Sequence, residues 1–171
     1  LAPGAGAQAA ESLQTILDRG YVRHWLVAGP FAVDAEGGIA AAIQEGRPRL
    51  GETDFLAPTG GIQRARPQDG LTIKNSDGAK TIFQALDPTG TTFDLSALLG
   101  GRAEAVGYAA FYAIADRPQT VLLEIDSTLG VRVALNGAIV RDIGNAPIQE
   151  IRTDWLSLPI RGGANLFVFE L

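Results

Sequence analysis

The chain has no cysteine, no methionine and a single histidine. Without cysteine there can be no disulfide, no thiolate nucleophile and no sulfur-ligated metal, although the cellular compartment stays open. One histidine cannot supply H-x-H or H-E-x-x-H spacing, and no G-x-S-x-G is present, so the common zinc and serine-hydrolase patterns are missing. Aromatic residues make up only 7% of the chain, which is thin for a surface built to stack ligands. Twelve of the 14 cations are arginine, which reads as genome bias before ligand chemistry. The net charge of −5 and the lack of a basic stripe argue against nucleic acid as a partner, because phosphates demand a basic surface. No apolar run approaches the roughly 18 residues that cross a bilayer.

What remains is globular. A chain of 171 residues with 46% hydrophobic content and 19% charge fits one domain and can bury roughly 70% of its unfolded surface. Residues 1–8 read as a signal-peptide remnant, with Ala7-Gln8-Ala9 fitting an A-x-A cleavage pattern, or as a flexible linker. Residues 9–171 read as one module, expected to be excised from a longer secreted or periplasmic multidomain protein.

Across Ala9–Arg19, Leu13, Ile16 and Leu17 recur at helical spacing and Gly20 follows as a C-cap. A second short helix is expected at 38–44, and Asp94 can cap one helical turn in "DLSALLG". Residues 50–80 show no sustained period. The second half reads as strands at 107–115, 120–126, 130–135, 138–141, 153–158 and in the closing "NLFVFEL", with Asn136-Gly137 as a hairpin turn and Gly162-Gly163 as another. Short strands at this spacing indicate an all-β sandwich or barrel.

The stretch "YVRHWLVAGPF" (Tyr21–Phe31) holds the lone histidine, yet no partner for His24 is visible in the sequence, and it reads as a structural residue beside a core strand ended by Gly29-Pro30. Trp25, Leu26 and Val27 are expected inside. Glu52, Asp54, Glu124, Asp126, Asp142 and Asp154 are the carboxylates from which a glycosidase pair would have to come. "DSTLG" (Asp126–Gly130) and "RDIGN" (Arg141–Asn145) offer oxygens for a structural calcium. Trp25, Trp155, Tyr108 and Tyr112 are the aromatics that could meet a sugar ring, with core packing favoured for Trp25.

Several phrases together carry a resemblance. "HWLVAGPF", "GETDFLAPTGG", "TFDLSALLGGRAEAVGYAAFYA", "LEIDSTLGVRVALNGAIV" and "DWLSLPIRGGANLFVFEL" are similar to segments of the galactose-binding-like jelly-roll modules that accompany bacterial secreted hydrolases and lyases. The resemblance covers about Tyr21 to Leu171. It implies a jelly-roll β-sandwich of eight to ten strands with a short N-terminal helix and minor helical turns, often binding carbohydrate and sometimes holding calcium. Thr128-Leu129 stand where the family pattern often has acidic residues, and Phe83 replaces an expected tryptophan. On this reading the module is not itself an enzyme. Its contacts with a glycan fall to Asp126, Ser127, Asn136, Asp154 and Trp155, with an adjacent domain of the same polypeptide as the alternative partner and no cofactor required. A small carboxylate-dependent hydrolase is the third reading.

Overall fold

The computed structural model describes residues 9–32, 53–74, 80–92, 105–128, 130–143 and 151–171. These residues are mostly β, in eleven strands with one α-helix. The strands are β1 (Ala10–Ser12), β2 (Trp25–Ala32), β3 (Thr72–Lys74), β4 (Lys80–Ile82), β5 (Gln84–Leu86), β6 (Ala105–Ala115), β7 (Gln119–Ser127), β8 (Arg132–Leu135), β9 (Ala138–Asp142), β10 (Arg152–Ile160) and β11 (Gly163–Glu170). A seven-stranded sheet runs β5-β2-β6-β11-β8-β9, with β1 added parallel to the far end of β6. β7 and β10 form a separate antiparallel ribbon, and β3 and β4 a small hairpin.

The long strands β6 and β11 are buried along most of their length because both faces of the sheet are covered. On one face Leu26, Tyr108, Ala110, Leu166 and Val168 pack under Leu56, Ile62, Ile73 and Phe83 from residues 53–83. On the other, Val27, Phe111, Val133, Phe167 and Phe169 pack under Ile125, Leu158 and Ile160 of the ribbon and Leu13 of the helix. Phe111 stacks on its cross-strand partner Phe167 at 4.6 Å between ring centroids. The two layered sheets therefore make a β-sandwich, and alternation along each strand decides which cluster a side chain joins.

The N-terminal pattern resolves differently from its sequence reading. Ala10–Ser12 join the sheet as β1, and the helix, α1, is confined to Leu13–Arg19. Three residues paired to β6 satisfy backbone groups that a longer helix would have left for its own first turn. Leu13 is buried and Leu17 is 46% exposed, so a seven-residue helix turns only part of its apolar set inward. Gly20 caps it in the left-handed conformation, its N–H bonding the Ile16 carbonyl. Gly29-Pro30 does not end β2: the strand shifts register between Ala28 and Phe31 and pairs again with β6 through Ala32. A bulge accommodates the proline, which cannot donate to the ladder. The expected helix at 38–44 and the turn at 94–100 lie outside the described residues.

The β8–β9 turn is the best-defined local motif. Asn136 and Gly137 both have positive φ, 52° and 88°, as a two-residue hairpin of this type requires. The Asn136 side chain accepts the Leu166 N–H at 3.0 Å and donates to Asn165 Oδ1 at 3.0 Å. Asn165 is fully buried and its amide donates to the Arg161 and Gly163 carbonyls. Thus the L-N-G and G-x-N phrases meet in space, one asparagine bonded to the other.

Candidate functional site

The ribbon of β7 and β10 pairs over nine residues, Arg152 opposite Ser127 through Ile160 opposite Gln119. Alternation sends Val121, Leu123, Ile125, Leu156, Leu158 and Ile160 toward the sandwich core. The intervening residues form the outer face. Trp155 stands there, 56% exposed, directly across from Glu124. One pair along, the Thr153 hydroxyl donates to Asp126 Oδ1 at 2.6 Å. In the other direction Ser157 faces Leu122, which is 62% exposed. Directly opposed residues are about 5 Å apart and diagonal ones about 7 Å, so indole, two carboxylates and two hydroxyls share one open patch.

Of the five residues read as contacts, Asp126 and Trp155 come together on this face. Asp154 and Ser127 occupy the opposite parity of the same strands, on the inner side. The Asp154 carboxylate is already engaged, 2.6 Å from Arg141 Nη2 and 3.3 Å from Arg152 Nε. Asn136 is on the other sheet, its amide used between the turn and β11. Glu124, weighed from sequence only as a catalytic carboxylate, and Thr153 are additional members. Their signal was the alternation Val121, Leu123, Ile125, which sets 122, 124 and 126 outward; the register with β10 could not be read from it.

The other aromatics serve packing. Trp25 meets Phe111 and Phe169 edge-on, at 5.0 and 5.5 Å between centroids, and its indole N–H bonds the Val22 carbonyl. Tyr112 is half-buried and donates to the Pro67 carbonyl. Tyr108 is fully buried beside Phe31. Burial, with the Glu170 and Asp54 carboxylates adding to it, pushes its phenol above the ordinary value of 10.0. The Phe55 backbone and Arg132 act in the opposite sense, but the hydroxyl makes no well-aligned hydrogen bond.

His24 is better partnered than the sequence indicated. Its Nδ1 lies 2.7 Å from Asp87 Oδ1 and its Nε2 lies 3.3 Å from Glu11 Oε1. Glu11, in turn, is buried and receives the Arg19 guanidinium on both oxygens, at 2.9 and 2.6 Å. The partners were invisible because they are 13 and 63 positions away along the chain. Both are carboxylates, and no hydroxyl nucleophile is among the hydrogen-bond partners of the ring, so the cluster ties β1, α1 and the residue after β5 to the start of β2.

Neither calcium segment gathers ligands within the described residues. Asp126 bonds Thr153, Asp142 lies 3.9 Å from Arg132 Nε, and no group of three or more acidic or imidazole side chains comes together. Residues 129, 144 and 145 of those segments lie outside the description. No helix among the described residues is long and apolar enough to cross a membrane.

No protein-family model, curated protein or solved structure matches the chain.

Proposed function

We propose that this protein is a non-catalytic accessory module that binds carbohydrate weakly through the outer face of the β7–β10 ribbon. The observation that carries the reading is Trp155: a large aromatic 56% exposed on a paired strand, with no aromatic neighbour stacked on it among the described residues, bordered by Glu124, Asp126, Thr153 and Ser157. An indole gives a sugar ring an apolar face, and flanking carboxylates and hydroxyls hydrogen-bond its substituents. The likeness of the sequence phrases to galactose-binding-like jelly-roll modules of secreted hydrolases and lyases supports the same reading, and with it an extracytoplasmic multidomain parent. A shallow platform with one indole leads to a Kd on the order of 0.1–1 mM.

Affinity electrophoresis of the isolated protein in gels containing soluble polysaccharides tests this. Retardation by at least one polysaccharide, lost in a folded Trp155→Ala variant, is the expected result. Retardation unchanged by that substitution, or turnover of the polysaccharide, would overturn it.

A second reading rests on two exposed apolar side chains, one on the outer face of the ribbon and one just before β10. Leu122 is 62% and Ile151 71% exposed, a pattern that also suits packing against a neighbouring domain. It predicts no glycan retardation and loss of these exposures to solvent in the intact parent protein, measurable by hydrogen exchange or oxidative footprinting.

A further inference from the structure

Resting on the carbohydrate reading, we infer that the ribbon face selects oligosaccharides bearing protonated amines over neutral and acidic ones. The selection comes from charge placement. The outward positions of β7 and β10 hold two carboxylates, Glu124 and Asp126, and no lysine or arginine. The basic residue that the ribbon does carry, Arg152, has the opposite parity and lies 3.3 Å from Asp154, which also holds Arg141. Both guanidiniums are partly exposed, but they are engaged with Asp154 rather than with the outward row.

The two acids have fixed relations to the indole. Glu124 is the direct cross-strand partner of Trp155, and Asp126 is its diagonal neighbour, steadied by the 2.6 Å bond from Thr153. A ring stacked on Trp155 thus presents its substituents to carboxylate oxygens on one edge. A hydroxyl there gains a hydrogen bond; an ammonium gains a charge-assisted one and the attraction of the indole π-face. A uronate or sulfate meets repulsion with no cation at the outward positions of the two strands to receive it, and the chain's net charge of −5 adds to that repulsion at low salt. Each exposed ion pair contributes up to about a fivefold gain in affinity, so two carboxylates support a preference of roughly three- to twentyfold for an amine-bearing chain. Screening at about 0.5 M salt, where the Debye length drops to a few ångströms, should remove most of it.

The test is titration of the intact chain, by calorimetry or Trp155 fluorescence in mildly acidic buffer, with three probes. These are a β-1,4-linked glucosamine oligomer, its fully N-acetylated counterpart, and an oligogalacturonate. Expected is tightest binding of the glucosamine oligomer, by at least threefold. That advantage should be reduced in Glu124→Gln and Asp126→Asn and by salt, and all binding should be lost in Trp155→Ala. Equal affinities for the first two probes, or tightest binding of the uronate, would overturn the selectivity and leave the carbohydrate reading standing. Glucosamine binding insensitive to all three substitutions would mark diffuse charge attraction and would also overturn it. Failure of every probe, together with failure of neutral glucans in the gel assay, would remove the carbohydrate reading itself.

Discussion

Replacing Asn165 with alanine should be among the most damaging single changes outside the hydrophobic clusters. Asn165 is fully buried. Its amide nitrogen donates to the Arg161 carbonyl at 2.8 Å and the Gly163 carbonyl at 3.0 Å, with a longer contact to Ala113 at 3.5 Å. Its oxygen accepts the Arg161 N–H at 3.1 Å and the Asn136 amide at 3.0 Å. Four well-formed bonds are lost, at about 1 kcal/mol each in net terms. Arg161 and Gly163 are exposed, so water recovers part of what their backbone loses. Asn136 is exposed as well and keeps its bond to the Leu166 N–H, so its freed amide is also partly recovered. A cost of about 3 kcal/mol follows, which lowers the melting temperature by about 6–12 °C in a domain of this size. Urea unfolding followed by tryptophan fluorescence measures it. A double-mutant cycle with Asn136→Gly, which keeps the positive φ accessible, should show coupling of about 1 kcal/mol between the two asparagines. A cost under 1 kcal/mol for Asn165→Ala, or no coupling, would refute the view that this amide pair closes the sheet.

Glu11→Ala should cost about 2–3 kcal/mol, because it leaves the Arg19 guanidinium and His24 without the buried carboxylate both face. Asp87→Ala, whose side chain is 54% exposed, should cost far less in the same urea titration; equal costs would sink the distinction. Tyr108 stays protonated in the folded state above the pH at which it ionises in the unfolded chain, since burial raises its folded value from 10.0. Above about pH 10 the unfolded state therefore binds fewer protons, and stability falls as pH rises, by up to about 1.4 kcal/mol per unit. Tyr108→Phe should flatten this alkaline limb, and an unchanged slope would count against the assignment. Trp25→Ala should destabilise by about 3 kcal/mol through loss of its contacts with Phe111 and Phe169, whereas Trp155→Ala should shift the unfolding midpoint hardly at all.

The strands of the second half were legible because each carries its own period. Tyr108, Ala110 and Tyr112 alternate with Ala109, Phe111 and Ala113, and Val121, Leu123 and Ile125 alternate with exposed Leu122, Glu124 and Asp126. The turn at Asn136-Gly137 was legible because positive φ demands those residue types. Pairings between distant segments were not. β1 adds to β6 across a separation of about 100 positions, and its three residues are too few to show a period beside the helix they precede. The bulge at Gly29-Pro30 looks like a stop in the sequence because proline punctuates a strand whether or not the chain resumes its register afterwards. Of the candidate site, the members Asp126 and Trp155 were named, but their neighbourhood depends on the β7–β10 register. Shifting that register by one residue would turn Trp155 inward and bring Asp154 out in its place.

The two tryptophans show why the same residue type carries different weight. Trp25 sits at the start of a strand whose neighbours are apolar, and its indole nitrogen and its ring contacts with Phe111 and Phe169 are used by the fold. Its presence is explained by packing, and it says nothing about a ligand. Trp155 follows a polar stretch and leaves more than half its surface to solvent, so folding gains little from it over a smaller β-former such as threonine. The asparagine pair follows the first logic: Asn165 is buried and Asn136 is bonded to it and to the Leu166 N–H, so both serve the closure of the sheet. On this scaffold the side chains on which stability makes no claim are the ones open to a ligand. Among the described residues the outer face of the β7–β10 ribbon meets that condition: its inward residues secure the strands to the core, while its outward residues are free to be chosen for another purpose.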